Sequence, residues 1–411
     1  MLTQLNSFFQ SNSLISPNQF GFKENTSTEI AVSKIYDEYV HKIEEKKITC
    51  SIYLDISKAF DTVNHPLLLK KLDHYGVRGL PLQVLKSYLS NRHQYTLISG
   101  SSSSCLPILS GVPQGSVLAP FLFSIFINDL PLITSMKPTL FADDACLSYS
   151  HTSISQIERF VNIELQKVNL WLLSNKLKLN TQKTNYMLVH RQKTPQKISI
   201  EINSTKIEEK EQVNYLGVII DNHLTWKPQI KSVKSKISKC TWALTKLRPY
   251  ANVDTLKLVY YALAHPHLQY CIGSWGGACG ALDSLLVKQK LLARTILKQP
   301  YRSPSAPLFS ALELLKIHQI YKYKIGVLVH KHSTGAIQLP QHLLLVSNLH
   351  HYNTRSSSNN NYTLPNAKIN LKQTSLTYRG PEYWNKIPPQ IRSLPHHCFK
   401  KMYKRHLLAG S

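Results

Sequence analysis

Acidic side chains are scarce: 23 Asp and Glu stand against 49 Lys and Arg in 411 residues, a formal net charge of +26. Beyond residue 250 the shortage is sharpest, with only Asp254, Asp283, Glu313 and Glu382. The chain is 43% hydrophobic and so able to fold, which excludes a disordered basic tail. A positive field on a folded body points to a polyanionic partner, nucleic acid first; a basic protein without such a partner is the bland alternative. Cysteine is sparse and unpatterned. Its seven copies form no C-x-x-C pair and no Cys/His group with zinc spacing, so reduced, intracellular thiols are expected. Long apolar runs are missing too: the longest, Val117 to Ile127, is too short for a bilayer and is broken by Pro120 and Ser124. The opening residues MLTQLNSFFQSNS lack a basic stretch followed by an apolar one. The expectation is a nuclear or cytoplasmic protein, neither secreted nor membrane-bound.

What is present alternates helical and strand patterns. Residues 28–40 have helical spacing, and 48–55 (ITCSIYLD) alternate with period two, placing Thr49, Ser51, Tyr53 and Asp55 on a polar face. Pro66 opens a short helix over 66–74, and Ile154, Ile157, Val161, Leu165, Val168 and Leu172 mark a long amphipathic one. Short strands are predicted at 185–190, 198–202 and 213–220. The segment 227–248 reads as a helix with an apolar stripe and Lys231, Lys234, Lys236, Lys239 and Lys246 outside it. Further helices are expected at 254–264 and 281–298, a linker at 300–307 and a polar loop near 353–361. The fold class is α+β rather than a repeated βαβ array.

Three elements could carry chemistry. Asp55 ends a strand within YLDISKAFDTV, where a carboxylate can project into a cleft or cap the next turn. Asp143 and Asp144, in TLFADDACLSY, sit between two apolar segments, as at the tip of a tight β-hairpin; Asp also forms ordinary turns. Between them, GVPQGSVLAP runs from a Gly- and Pro-rich loop into an apolar helix. Such a loop can bring backbone close to a ligand and leave the Gln114 amide free to bond it.

Acidic strand end, Gln-Gly loop and acidic hairpin, in that order, resemble motifs A, B and C of reverse transcriptases. NKLKLNTQKTNYMLV resembles motif D and VNYLGVIID motif E. The wording SPNQFGF, YLDISKAFDTVNH, GVPQGSVLAP, FADD and YLGVIID is similar to non-LTR retrotransposon polymerases of the jockey/LINE type, and SLTYRGPEYWNKIPPQIR to their carboxy-terminal region. The resemblance implies a right-hand polymerase: partial fingers and palm over 1–221, a helical thumb over 222–300 and a basic helical region over 301–411. It implies two Mg²⁺ ions, with Mn²⁺ as a substitute, held by Asp55, the Ile56 carbonyl, Asp143 and Asp144. Clustered carboxylates suit this chemistry, because phosphoryl transfer needs cations to offset charge on the attacking and leaving oxygens.

Residue by residue, the resemblance makes Phe60, beside Ala59, a steric gate against the ribose 2′-hydroxyl. Gln114 and Gly115 become contacts to the incoming nucleotide and template. Lys183 becomes the group that protonates or neutralises departing pyrophosphate, Lys23 a triphosphate contact, and Tyr215, Leu216 and Gly217 a primer grip. The implied partners are an RNA template, a DNA primer or target and deoxynucleoside triphosphates. The endonuclease and Arg-Pro-Ile fingers segment usual in these polymerases are absent from the sequence, which therefore reads as a 5′-truncated copy. A catalytically inactive, nucleic-acid-binding remnant is the alternative function.

Overall fold

The structure is a computed structural model that describes residues 1–410 except 192–196, 279, 340–342, 350, 351, 353, 355, 357 and 358. Part of the expected polar loop at 353–361 lies outside the described residues. The chain divides into two compact units, one of residues 1–26 and 47–211, the other of 27–46 and 212–411.

The first unit is built on a five-stranded sheet. Its strands are β1 (Ile48–Leu54), β2 (Lys137–Phe141), β3 (Asp144–His151), β4 (Asn185–Val189) and β5 (Glu208–Glu209), in the order β5–β4–β1–β3–β2. All pairs are antiparallel except β5 with β4. β1 is central, and here the structure corrects the period-two reading: all seven of its residues are buried, polar Thr49 and Ser51 included. Strands on both sides and side chains on both faces leave no solvent face, and Thr49 Oγ1 is satisfied by Ser150 Oγ at 2.8 Å. The helices His65–His74, Ala119–Phe126 and Ile154–Ser174 enclose a core that includes Phe9, Ile52, Leu68, Leu72, Phe123 and Phe126. The Asn64 side chain caps the first of them by accepting from Leu67 N–H, and Pro66 sits in its first turn, where a missing N–H costs nothing.

The second unit is mostly helical. Thr28–Glu44, entered through a Ser27 cap, buries ten residues. The segment expected to be one strand at 213–220 is a hairpin, β6 (Gln212–Tyr215) and β7 (Val218–Asp221), reversed by Leu216 and Gly217 at φ 49° and 75°. Two successive residues in the left-handed region turn the chain back on itself, which an apolar alternation does not reveal. The Lys227–Leu247 helix follows, with Ile230, Val233, Ile237, Cys240 and Leu244 buried, and Lys231, Lys234, Lys236, Lys239 and Lys246 exposed. The helix expected at 254–264 is α-helical over Val253–Val259 and π-helical over Tyr260–Ala264. Ser305–Leu312 is a helix, so it takes up the end of the expected linker. Among the described residues no helix is long and apolar enough to cross a membrane, and the described cysteines are free thiols.

Candidate active site

Asp55 is the first residue past β1, and the segment 178–184 grips its backbone from both ends. Its N–H donates to Thr184 Oγ1 at 3.2 Å, and its carbonyl accepts the Asn180 N–H at 2.8 Å. The Ser57 N–H donates to the Lys178 carbonyl at 2.8 Å, and Ile56 between them forms an isolated bridge with Leu179. Beside this strand end, β2 and β3 pair out to Phe141 and Asp144, so Ala142 and Asp143 alone make the turn. Ala142 has φ 55° and Asp143 is not in the positive region, the φ signs of a II′ hairpin turn. Alanine in that conformation persists only because its surroundings hold it there. Leu54 pairs with Ala145, so the register brings the end of β1 alongside the start of β3.

Three carboxylates thus lie at adjacent ends of the central strand β1 and its neighbour β3. Asp144 is exposed at its strand start, yet crowding by neighbouring protein and then the charges of Asp143 and Asp55 push its carboxyl up to about 6. Among the described residues no group of three or more His, Cys, Asp or Glu side chains is placed to hold a metal ion by itself. Hard carboxylate oxygens at neighbouring strand ends suit a small divalent cation.

The Gly-Pro loop docks on the residues after Asp55. Val112 N–H donates to the Phe60 carbonyl and Gly111 N–H to the Val63 carbonyl, both at 2.8 Å. Gly111 has φ 92°, and a Cβ there would lie 2.7 Å from the Asp61 carbonyl oxygen, so only glycine fits. The Gln114 amide is not free, as the sequence led one to expect. Its Nε2 donates to Asp61 Oδ1 at 2.7 Å, because docking brings an acceptor to its only donor group. Gly115, at φ 82°, has open space around it. Ala59 is buried, and Phe60 is half-buried with its ring stacked on Phe123 at 4.5 Å and 21°.

Lys183 is exposed in the turn between Asn180 and Thr184, next to the grip on Asp55. Lys23 donates to the Ser16 carbonyl at 3.4 Å, and burial pulls its ammonium below the usual lysine range. Tyr215, Leu216 and Gly217 lie in the second unit, where Tyr270 Oη donates to the Leu216 carbonyl at 2.8 Å. Sequence reading missed Thr184, Asn180 and Asp61, whose roles depend on partners distant in the chain. It also missed Gln19, which is 1% exposed and whose Oε1 accepts the Ala142 N–H at 3.3 Å.

Residues 1–220 match the family described as reverse transcriptase (RNA-dependent DNA polymerase). The chain is 28% identical over 336 residues to a probable RNA-directed DNA polymerase from transposon BS of Drosophila melanogaster, covering 77% of this chain and 36% of that protein. It is 27% identical over 297 residues to the RNA-directed DNA polymerase from mobile element jockey of the same species, covering 69% and 32%. The chain therefore spans about a third of the length of these relatives. A structure of telomerase from Candida albicans with a fragment of telomeric RNA is matched at 13% identity and a TM-score of 0.42, over 77% of this chain and 57% of that one. The family match runs over more than half of the sequence and takes in Asp55, Asp143 and Asp144: the chain belongs to the reverse transcriptases.

Proposed function

We propose that this chain catalyses RNA-directed DNA synthesis, adding deoxynucleotides to a primer 3′ end on an RNA template. The observation that carries this reading is the meeting of Asp55 with the Ala142–Asp143 turn, which sets three carboxylates in one another's field. Asp55, the Ile56 carbonyl, Asp143 and Asp144 would hold two Mg²⁺ ions, or Mn²⁺ in their place. The ions, when bound, supply charge compensation for the attacking 3′-hydroxyl, the α-phosphate and the leaving pyrophosphate.

The remaining roles belong to the chain's own side chains. Phe60, over buried Ala59, puts an aromatic edge where a 2′-hydroxyl would clash. Gln114 and Gly115 offer an amide and an open backbone to the incoming nucleotide and template; the Gln114 donor must first leave Asp61. Lys183 neutralises or protonates departing pyrophosphate, and Lys23 contacts the triphosphate. Tyr215, Leu216 and Gly217 hold the primer end. The exposed lysines of Lys227–Leu247 follow duplex phosphates, giving affinity that falls with salt. In this reading 1–221 form fingers and palm, 222–300 the thumb and 301–411 a basic helical region.

Primer extension tests it. With a labelled DNA primer on an RNA template, deoxynucleotides and Mg²⁺ should give extension that EDTA abolishes. Tight binding of primer–template without extension would identify an inactive nucleic-acid-binding remnant and refute the catalytic reading.

A further inference from the structure

Residues 18–20 run alongside β2 next to the acidic turn. Phe20 N–H donates to the Leu140 carbonyl at 2.8 Å, and Leu140 N–H to the Asn18 carbonyl at 2.9 Å, giving a parallel bridge between Gln19 and Leu140. Gln19 itself is 1% exposed. Its Oε1 accepts two backbone donors, Gly21 N–H at 2.8 Å and Ala142 N–H at 3.3 Å. Those two donors fix which end of the amide is oxygen, since a flipped amide would set donor against donor. Nε2 is left in the interior with no acceptor among the described residues. Gly21 completes the contact: a Cβ there would lie 2.3 Å from Ala142 N and 2.9 Å from the Phe141 carbonyl carbon.

The amide carries an orphaned donor, a cost offset by its oxygen, which serves two buried backbone donors, Gly21 N–H and Ala142 N–H, that an apolar side chain would strand. What the amide supplies is a grip on Ala142, the residue at φ 55° that immediately precedes Asp143. We infer that Gln19 is a positioning residue of the active site: with Gly21 behind it, its carboxamide fixes the two-residue turn and so the place of the Asp143 carboxylate. This role rests on the nucleotidyl-transfer reading above. It is distinct from the contacts to substrate assigned there, since Gln19 acts only through the turn.

The test uses the full chain with an RNA template and DNA primer. Gln19→Met keeps volume and removes the accepting oxygen. Because displacing a reacting group by about 1 Å costs on the order of 10²-fold in rate, kcat per active site should fall by about that factor. KM for deoxynucleotide and the affinity for primer–template should stay near wild type. Mn²⁺ bound to the primer–template complex, followed by electron paramagnetic resonance, should bind more weakly, which a purely structural role would not produce. Gly21→Ala pushes the turn from the backbone side and should show the same pattern; it carries the test if Gln19→Met does not fold. Wild-type Mn²⁺ affinity and kcat per active site in the folded variants would overturn the role. Asp143→Asn, run in parallel, separates the failures. Extension that survives Asp143→Asn would sink the catalytic reading and this role with it, whereas extension lost there but kept in Gln19→Met sinks only the role of Gln19.

Discussion

Replacing Gly111 with alanine should cost two amounts that a second glycine can separate. Gly111 and Gly115 lie four residues apart in the same loop, at φ 92° and 82°. An L-residue in the left-handed region pays roughly 1–2 kcal/mol, and both positions carry that cost. They differ in what the new methyl meets. At Gly111 it would lie 2.7 to 2.9 Å from backbone atoms of Asp61, which cannot swing aside; at Gly115 nothing lies within 4 Å. Overpacking against a fixed neighbour adds about 1–3 kcal/mol, so Gly111→Ala should lose about 2–5 kcal/mol and Gly115→Ala about 1–2. Urea denaturation of the two variants reads the difference directly. Primer extension reads its consequence, since a shifted 111–115 loop also carries Gln114 away from Asp61. Equal losses of stability in the two variants would show that the loop is not seated on Asp61, and the docking geometry would be wrong.

Thr184→Val keeps shape but leaves the Asp55 N–H without its acceptor, so stability should fall by about 1–3 kcal/mol and extension with it, while Thr184→Ser restores both; a valine variant with wild-type stability and rate would refute the grip on Asp55. In the second unit, Asp37 is fully buried, accepts from Leu376 N–H, Thr377 N–H and Thr377 Oγ1, and is pushed up to about 6 from 3.8 by loss of hydration. Its folded pKa exceeds its unfolded one, so its contribution is fully present below about pH 3.8 and is lost as pH rises through 6; the wild type should therefore lose about 3 kcal/mol relative to Asp37→Asn across that window in urea titrations. A constant difference would mean the carboxyl is not buried in the unit. Phe60→Ala should raise ribonucleotide use relative to deoxynucleotide use in competition assays, and equal loss with both sugars would leave Phe60 as packing on Phe123 alone.

The long helices were legible because their apolar stripes are complete: the stripes over 154–172 and 227–248 become the helices Ile154–Ser174 and Lys227–Leu247. β1 was legible as a strand but not as a central one. Thr49 and Ser51 look like a solvent face until their neighbouring strands are known. The 213–220 hairpin was hidden because Leu216 carries no turn signature and Gly217 alone does not specify a reversal. In the site, Asp55 and the acidic pair could be placed at a strand end and a hairpin tip from local chemistry. The tightness of their cluster could not, since it depends on side-chain directions at adjacent positions. Thr184 and Gln19 stayed silent for a different reason. Each acts across the fold, Thr184 on a residue 129 positions earlier and Gln19 on one 123 positions later, and no local periodicity encodes such a partner. Gln114 shows the converse: the loop pattern singled it out, but its bond to Asp61, 53 positions earlier, was not legible.

The central claim is that Asp143, held beside Asp55 at the end of the central strands, is needed for chemistry and not for binding. Single-turnover extension of a DNA primer on an RNA template, with primer–template affinity measured on the same preparations, tests it most directly. Asp143→Asn keeps the size of the side chain and removes its charge. The account predicts that extension by this variant is abolished while primer–template affinity stays at the wild-type value, because the proposed phosphate contacts come from lysines elsewhere. Extension at the wild-type rate by Asp143→Asn would contradict it.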